Sequence, residues 1–217
     1  MLDQNQTTAE QIENRKLVIY QAFVRHFGNK NTTNKFYGSI QENGSGKFND
    51  ISEKALKELK TLGINYIWYT GVIEHATMTD YTKYGIKSDD PDIVKGRAGS
   101  PYAIKDYYDV DPDLAVDVNK RMEEYEALIK RTHAQGLKVL MDFIPNHVAR
   151  TYHSDQKPNN VIDLGANDDT TKSFSPTNDF YYIPNQNFVV PKGYNPGGDE
   201  FKSLLKDGKF DEYPAKA

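Results

Sequence analysis

An alternation of strand-like and helix-like segments most constrains how this chain can fold. Residues 17–23 (LVIYQAF) and 64–69 (INYIWY) are short apolar runs with the length and composition of buried β-strands. Residues 137–141 (LKVLM) form a third such run. Good helix formers with apolar residues on one face separate these runs. The order strand, helix, strand, helix, strand predicts parallel β/α units.

Both predicted helices carry start or stop signals. The first follows Ser52, a favourable N-cap, and ends at Gly63, which suits the position just after a helix. The second covers residues 117–135 and ends at Gly136. We predict that these helices pack on the sheet through two apolar faces: Ala55, Leu56, Leu59 and Leu62 on the first, and Val118, Met122, Tyr125, Leu128 and Ile129 on the second.

The long polar segments follow predicted strands. A loop extends from the first strand to about residue 50, and residues 70–115 form a second loop that is too long to be only a connection. Long loops at the carboxyl ends of strands favour a (β/α)₈ TIM barrel, whose active site is built there. A doubly wound sheet is the alternative, but residues 24–34 lack the GxGxxG turn that it would normally carry.

The predicted fold class is therefore α/β, an amino-terminal portion of a TIM barrel with about three β/α units. We divide the chain into a polar segment (1–16), the first part of the barrel (17–147) and an irregular insertion after the third strand (148–217). We expect the chain to stop inside that insertion, before a fourth strand. Three strands would leave two unpaired sheet edges, which favour aggregation, so we expect the isolated chain to be poorly soluble or partly unfolded.

Composition excludes some functions and leaves the compartment open. A net charge of −4 and a pI near 5.8 argue against a nucleic-acid surface. The chain has no cysteine, hence no disulfide and no thiolate metal site. No apolar run is long enough to span a membrane, and the amino terminus lacks a signal-peptide core. We favour a secreted, periplasmic or cell-surface location, with the signal removed, over the cytoplasm.

Polar and titratable residues follow the third predicted strand. Asp142, Asn146 and His147 come directly after it, and Pro145 prevents its simple continuation. Loops on a rigid scaffold face solvent and ligand. The sequence therefore predicts functional side chains at this strand end.

Three motifs at matching strand ends carry a resemblance to a known family. Residues 142–147 (DFIPNH) resemble the D-x-x-x-N-H signature of the α-amylase family, glycoside hydrolase family 13. Residues 63–71 (GINYIWYTG) resemble its second-strand motif G-F-x-x-I-W-x-T-P, with Gly71 in place of proline. Residues 100–108 (SPYAIKDYY) resemble its H-G-Y-x-x-x-D-x-Y segment, with Ser100 in place of histidine.

The resemblance implies roles for five residues. His147 would hydrogen-bond the sugar beside the scissile bond, and Tyr102 would stack under the same ring. Asn146 would supply a carbonyl oxygen to a structural Ca²⁺ ion. Asp142 and Asp106 would be supporting groups that orient their neighbours.

The resemblance also implies a reaction. Family members are mostly retaining glycosidases or transglycosylases that use carboxylates at later strands. No residue of this chain is predicted to be a catalytic carboxylate, so the chain alone is expected to be inactive. We expect the complete protein to hydrolyse α-glucans, either starch or maltooligosaccharides. The alternatives are a transglycosylase of the same family and a noncatalytic carbohydrate-binding or interaction protein.

Overall fold

The structure, a computed structural model, describes residues 16–193 and 205–216. Within these residues the strands are β1 (Ile19–Phe23), β2 (Tyr66–Thr70), β3 (Ile73–His75), β4 (Ile104–Val110), β5 (Lys138–Met141), β6 (Tyr182–Ile183) and β7 (Ala215–Lys216). The α-helices are α1 (Ile40–Asn43), α2 (Glu53–Thr61) and α3 (Arg121–Ala134). Short 3₁₀ turns lie at Phe48–Asp50, Thr82–Tyr84, Pro91–Ile93, Pro112–Leu114 and Val118–Lys120.

The predicted parallel sheet is present. Its order is β1-β2-β5, and both pairs are parallel. Ile19 pairs with Tyr66, and Tyr66 in turn pairs with Lys138, so the three strands start at one edge. Their carboxyl ends therefore meet at the opposite edge, where the loops predicted to carry function begin.

The core lies between this sheet and the helices. Ile67 and Tyr69 of β2 are fully buried against Leu56 of α2 and Leu128 of α3. Burying a leucine side chain contributes roughly 2 kcal/mol. The hydroxyl groups of Tyr69 and Thr132 lie 2.6 Å apart, so the sheet and α3 are also joined by a buried hydrogen bond.

The helix signals are largely confirmed. Ser52 Oγ accepts a hydrogen bond from Ala55 N at 3.2 Å and caps α2. All five residues of the predicted stripe on the second helix are buried or pack against the core as partly buried side chains. The prediction for Leu62 is wrong: α2 ends at Thr61, and the Leu62 side chain is 76% exposed.

The prediction of residues 70–115 as a loop is also wrong. This segment contains β3 and β4, which form an antiparallel ribbon with irregular register. Glu74 of β3 pairs with Asp106 of β4. The ribbon was missed because its buried positions include Lys105, Asp106 and Asp109, so the usual alternation of apolar and polar residues is absent.

The third strand is exposed, contrary to the prediction of a buried strand. Leu137 is buried, but Leu140 is 38% exposed and Met141 is 47% exposed. Within the described residues β5 is an edge strand that pairs with β2 alone. The described residues around β5 therefore leave part of its apolar side-chain surface exposed.

The region after His147 consists mainly of turns. The described parts of 148–217 contain a single pair of short strands, β6 and β7, which are antiparallel. Residues 194–204 of the predicted insertion and residues 1–15 of the predicted polar segment lie outside the described residues. No helix in the described ranges is both long and apolar enough to cross a membrane.

Candidate functional site

Asp142 joins the carboxyl ends of two parallel strands. It follows β5 directly and is buried. Its Oδ1 accepts a hydrogen bond from Trp68 Nε1 of β2, and its Oδ2 accepts one from Gly71 N at 3.3 Å. Both donors belong to the second-strand motif. Two of the three motifs therefore meet at this carboxylate, which suits the supporting role that the resemblance implies.

Gly71 adopts a backbone conformation that explains its departure from the motif. Its φ is +69°, in the left-handed region, whereas proline is restricted to φ near −65°. A Cβ atom at this position would lie 2.8 Å from the Phe23 ring and 2.9 Å from Pro101 Cβ. The turn after β2 therefore requires glycine, and it packs against the third motif through Pro101.

Asn146 and His147 have exposed side chains beyond the end of β5. Asn146 Nδ2 lies 3.2 Å from His147 Nδ1. The preceding backbone is fixed by Tyr107 of β4, whose hydroxyl donates to Ile144 O. An exposed imidazole on an anchored loop is able to hydrogen-bond a sugar hydroxyl.

Tyr102 is also exposed, at 43%, and lies just before β4. Its backbone N–H donates to Ser100 Oγ at 3.3 Å, so the serine that replaces the motif histidine closes a local turn. Its neighbour Pro101 contacts Gly71, which places this segment at the carboxyl end of β2.

Asp106 is placed differently from the other predicted residues. It is fully buried in β4. It accepts hydrogen bonds from the backbone N–H groups of Tyr108 at 2.7 Å, Asp155 at 3.0 Å and Gln156 at 3.3 Å. Asp106 therefore ties the segment after His147 to the β3–β4 ribbon and does not face solvent.

Asp106 belongs to a carboxylate group that the sequence did not reveal. We call Glu74, Asp106, Asp109 and Asp155 the acidic cluster; one potential ligand oxygen of each lies within 4.8 Å of the others. Arg121 contacts this cluster, with Nε 2.7 Å from Asp109 Oδ2. Burial, reinforced by the Asp109 charge, raises the pKa of Glu74 to about 10. These residues come from three separate segments, so only the fold brings them together.

A polar cleft of about 490 Å³ lies between the loops that follow β1 and β3. Its lining includes Arg25, Asn29, Ser39, Asn43, Thr79 and Arg97. Arg25 donates to His75 Nε2 at 2.6 Å and to Ala98 O at 2.9 Å. Burial and the nearby Arg25 charge lower the pKa of His75 to about 4, so the imidazole is neutral and accepts this hydrogen bond. No sequence signal marked this cleft.

Fold and site together define a class of protein. It is a parallel β/α protein with polar side chains at the carboxyl ends of its strands and an acidic cluster in which three of the four carboxylates are buried.

Comparison with known proteins identifies the family within that class. The family model for the alpha amylase catalytic domain matches residues 21–205. The chain belongs to the α-amylase family of glycoside hydrolases, and its three parallel strands fit part of a TIM barrel.

Individual relatives are more distant. The chain is 29% identical over 200 residues to the trehalose-6-phosphate hydrolase of Bacillus subtilis, covering 90% of this chain and 27% of that protein. It is 29% identical over 135 residues to an oligo-1,6-glucosidase of Heyndrickxia coagulans, covering 62% and 18%. A solved maltogenic alpha-amylase from Thermotoga neapolitana is 31% identical, with a TM-score of 0.42 and coverage of 63% and 25%. The chain thus spans about a quarter or less of the length of these relatives.

Proposed function

We propose that the full-length protein is a retaining glycoside hydrolase that acts on α-glucans such as starch or maltooligosaccharides. The observation that carries this proposal is the exposed pair Asn146–His147, anchored beyond β5 where Asp142 joins the ends of two parallel strands. Family membership supports a hydrolase. The relatives named above are hydrolases by name, but the choice of α-glucan is our own inference.

In this proposal the chain binds and orients the sugar. The imidazole of His147 hydrogen-bonds a sugar hydroxyl beside the scissile bond, and the ring of Tyr102 offers an apolar face to the same sugar. Both side chains are exposed. Asp142 and Asp106 act indirectly, because each is buried and bonded to the protein itself. The polar cleft is of a size that small-ligand sites commonly have.

A retaining reaction needs two further carboxyl groups roughly 5–5.5 Å apart, one as nucleophile and one as general acid. We assign neither to this chain. The acidic cluster does not serve here, since three of its four members are buried within the β3–β4 ribbon and Glu74 has no hydrogen-bond partner among the described residues.

A structural Ca²⁺ ion at Asn146 is a further part of the proposal. The amide oxygen of Asn146 is a suitable ligand for a hard cation. Within the described residues, the group of His, Asp or Glu side chains close enough to share an ion is the acidic cluster, which Asn146 is not part of.

The stereochemistry of the first product tests the proposal. We expect the full-length protein to release sugars from maltooligosaccharides, and proton NMR at early times to show the α-anomer forming first. Early β-anomer would contradict a retaining mechanism. Longer oligosaccharides as main products would indicate a transglycosylase. No bond cleavage in starch or maltooligosaccharides would favour the noncatalytic binding protein.

A further inference from the structure

The acidic cluster joins three parts of the chain that are distant in sequence. Glu74 lies on β3, Asp106 and Asp109 lie on β4, and Asp155 follows the loop that carries His147. Glu74 and Asp106 face each other in the strand register. Backbone N–H groups at Asp155 and Gln156 donate to Asp106, which holds the third segment against the ribbon.

The cations in contact with the cluster do not balance its charge. Arg121 pairs with Asp109 and, at 3.3 Å, with Asp155. The neighbouring Lys105 ammonium lies 3.0 Å from Asp89 and is bonded there. Among the described residues, one guanidinium thus contacts the cluster of four carboxyl groups directly, and the Lys105 charge acts on Glu74 only at longer range. Buried carboxylates without a partner are costly, so a further positive charge would stabilise this arrangement.

Glu74 is the clearest sign of a missing partner. Only 1% of the residue is exposed, and neither carboxyl oxygen has a hydrogen-bond partner among the described residues. Protonation would remove its charge, as the raised pKa indicates. A protonated Glu74 carboxyl can donate one O–H to a neighbouring carboxylate, but its other oxygen would still lack a donor among the described residues. A bound cation would satisfy both oxygens and the charge, which protonation alone does not.

The geometry and the ligand type select the cation. Calcium binds oxygens at roughly 2.3–2.6 Å, so two ligands on opposite sides lie about 4.6–5.2 Å apart. The cluster oxygens lie within 4.8 Å of one another. Magnesium usually keeps several waters and is bound through one or two carboxylates, so a set of four protein carboxylates favours calcium. Four carboxylates with no imidazole or thiolate favour a hard cation.

We propose that Glu74, Asp106, Asp109 and Asp155 bind one Ca²⁺ ion at a site distinct from Asn146. The ion would crosslink the β3–β4 ribbon to the segment after His147 and so fix the loop at the end of β5. This inference does not depend on the proposed hydrolase activity, because it concerns ion binding alone.

Equilibrium binding of calcium to the full-length protein tests the site. The protein is stripped with EGTA and dialysed, and bound Ca²⁺ is counted with ⁴⁵Ca while the melting temperature is followed with and without CaCl₂. Glu74→Gln and Asp155→Asn are compared with wild type. Glu123→Gln, which changes an exposed carboxylate on α3, is the matched control. Asn146→Ala reports separately on a calcium ion at that residue.

We expect Glu74→Gln and Asp155→Asn each to bind one Ca²⁺ fewer than wild type, with a smaller rise in melting temperature on adding CaCl₂. Glu123→Gln should match wild type. In EGTA, Glu74→Gln should be about as stable as wild type, since the raised pKa leaves the Glu74 carboxyl protonated and uncharged without a metal. If Glu74→Gln does not fold, the number of bound Ca²⁺ ions is compared between wild type and Asp155→Asn, whose substitution is at a partly exposed position. Wild type that binds no Ca²⁺, or cluster variants that bind as much as wild type, would overturn the proposal.

Discussion

The predicted sugar-contacting residues and the acidic cluster differ in their surroundings. His147 and Tyr102 have exposed side chains on segments whose backbone is anchored. Glu74, Asp106 and Asp109 are buried; Asp109 pairs with Arg121, and Asp106 accepts backbone hydrogen bonds. The difference teaches that burial divides the polar residues of this region into two groups. The exposed set is available to a ligand, and the buried set holds the loops in place, so substitutions in the two sets should affect different measurements.

The largest loss of stability is expected at Arg121. Arg121→Met removes the partner of the buried Asp109 and should lower the free energy of unfolding by about 3 kcal/mol. Its neighbour provides the control, because Lys120 pairs with Asp117 on the surface with 70% of its side chain exposed. Lys120→Met should cost less than about 0.5 kcal/mol. Urea unfolding in EGTA measures both changes in the free energy of unfolding. Equal losses would show that the buried ion pair of Arg121 contributes no more than the exposed pair of Lys120.

Asp142 lies between the two sets and should show an intermediate effect. Asp142→Ala leaves Trp68 Nε1 and Gly71 N without their acceptor and should cost about 2 kcal/mol. Asp142→Asn keeps one acceptor oxygen and should cost less. Urea unfolding of the two variants gives the comparison. An alanine variant as stable as wild type would show that Asp142 does not hold the strand ends together.

A smaller loss is expected at Gly71. Gly71→Ala introduces a Cβ atom against Phe23 and Pro101 at a positive φ, and should cost about 1.5 kcal/mol. Gly63 also has a positive φ, but a Cβ atom there meets nothing within 4 Å. Gly63→Ala should therefore show only the conformational cost, about 1 kcal/mol. Thermal unfolding of both variants separates the steric cost from the conformational cost. Equal falls in melting temperature would show that the contacts of the added Cβ atom at Gly71 cost nothing.

Local patterns were enough to predict the parallel sheet and its helices. Apolar runs marked β1, β2 and β5, and Ser52 marked the start of α2. These signals depend on residues close in sequence. The exposure of Leu140 and Met141 depends instead on which strands lie beside β5, and composition does not contain that information.

The acidic cluster could not be predicted for a related reason. Glu74 meets Asp106 only through the register of an antiparallel ribbon whose buried charged residues conceal it. Asp155 reaches them from a segment of turns without regular periodicity. The exposed residues His147 and Asn146 were found because a motif places them together in sequence. Asp106 was found by the same route, but its burial was not foreseen.

His147→Ala in the full-length protein tests the central claim most directly, that the exposed strand-end set contacts substrate. We expect kcat/KM on a maltooligosaccharide to fall at least about tenfold, consistent with loss of a hydrogen bond made in the transition state. The free energy of unfolding should change by less than about 0.5 kcal/mol, because the side chain is exposed. His133→Ala, an exposed histidine on α3 at the opposite edge of the sheet, should change neither quantity. An unchanged kcat/KM in His147→Ala would contradict the claim.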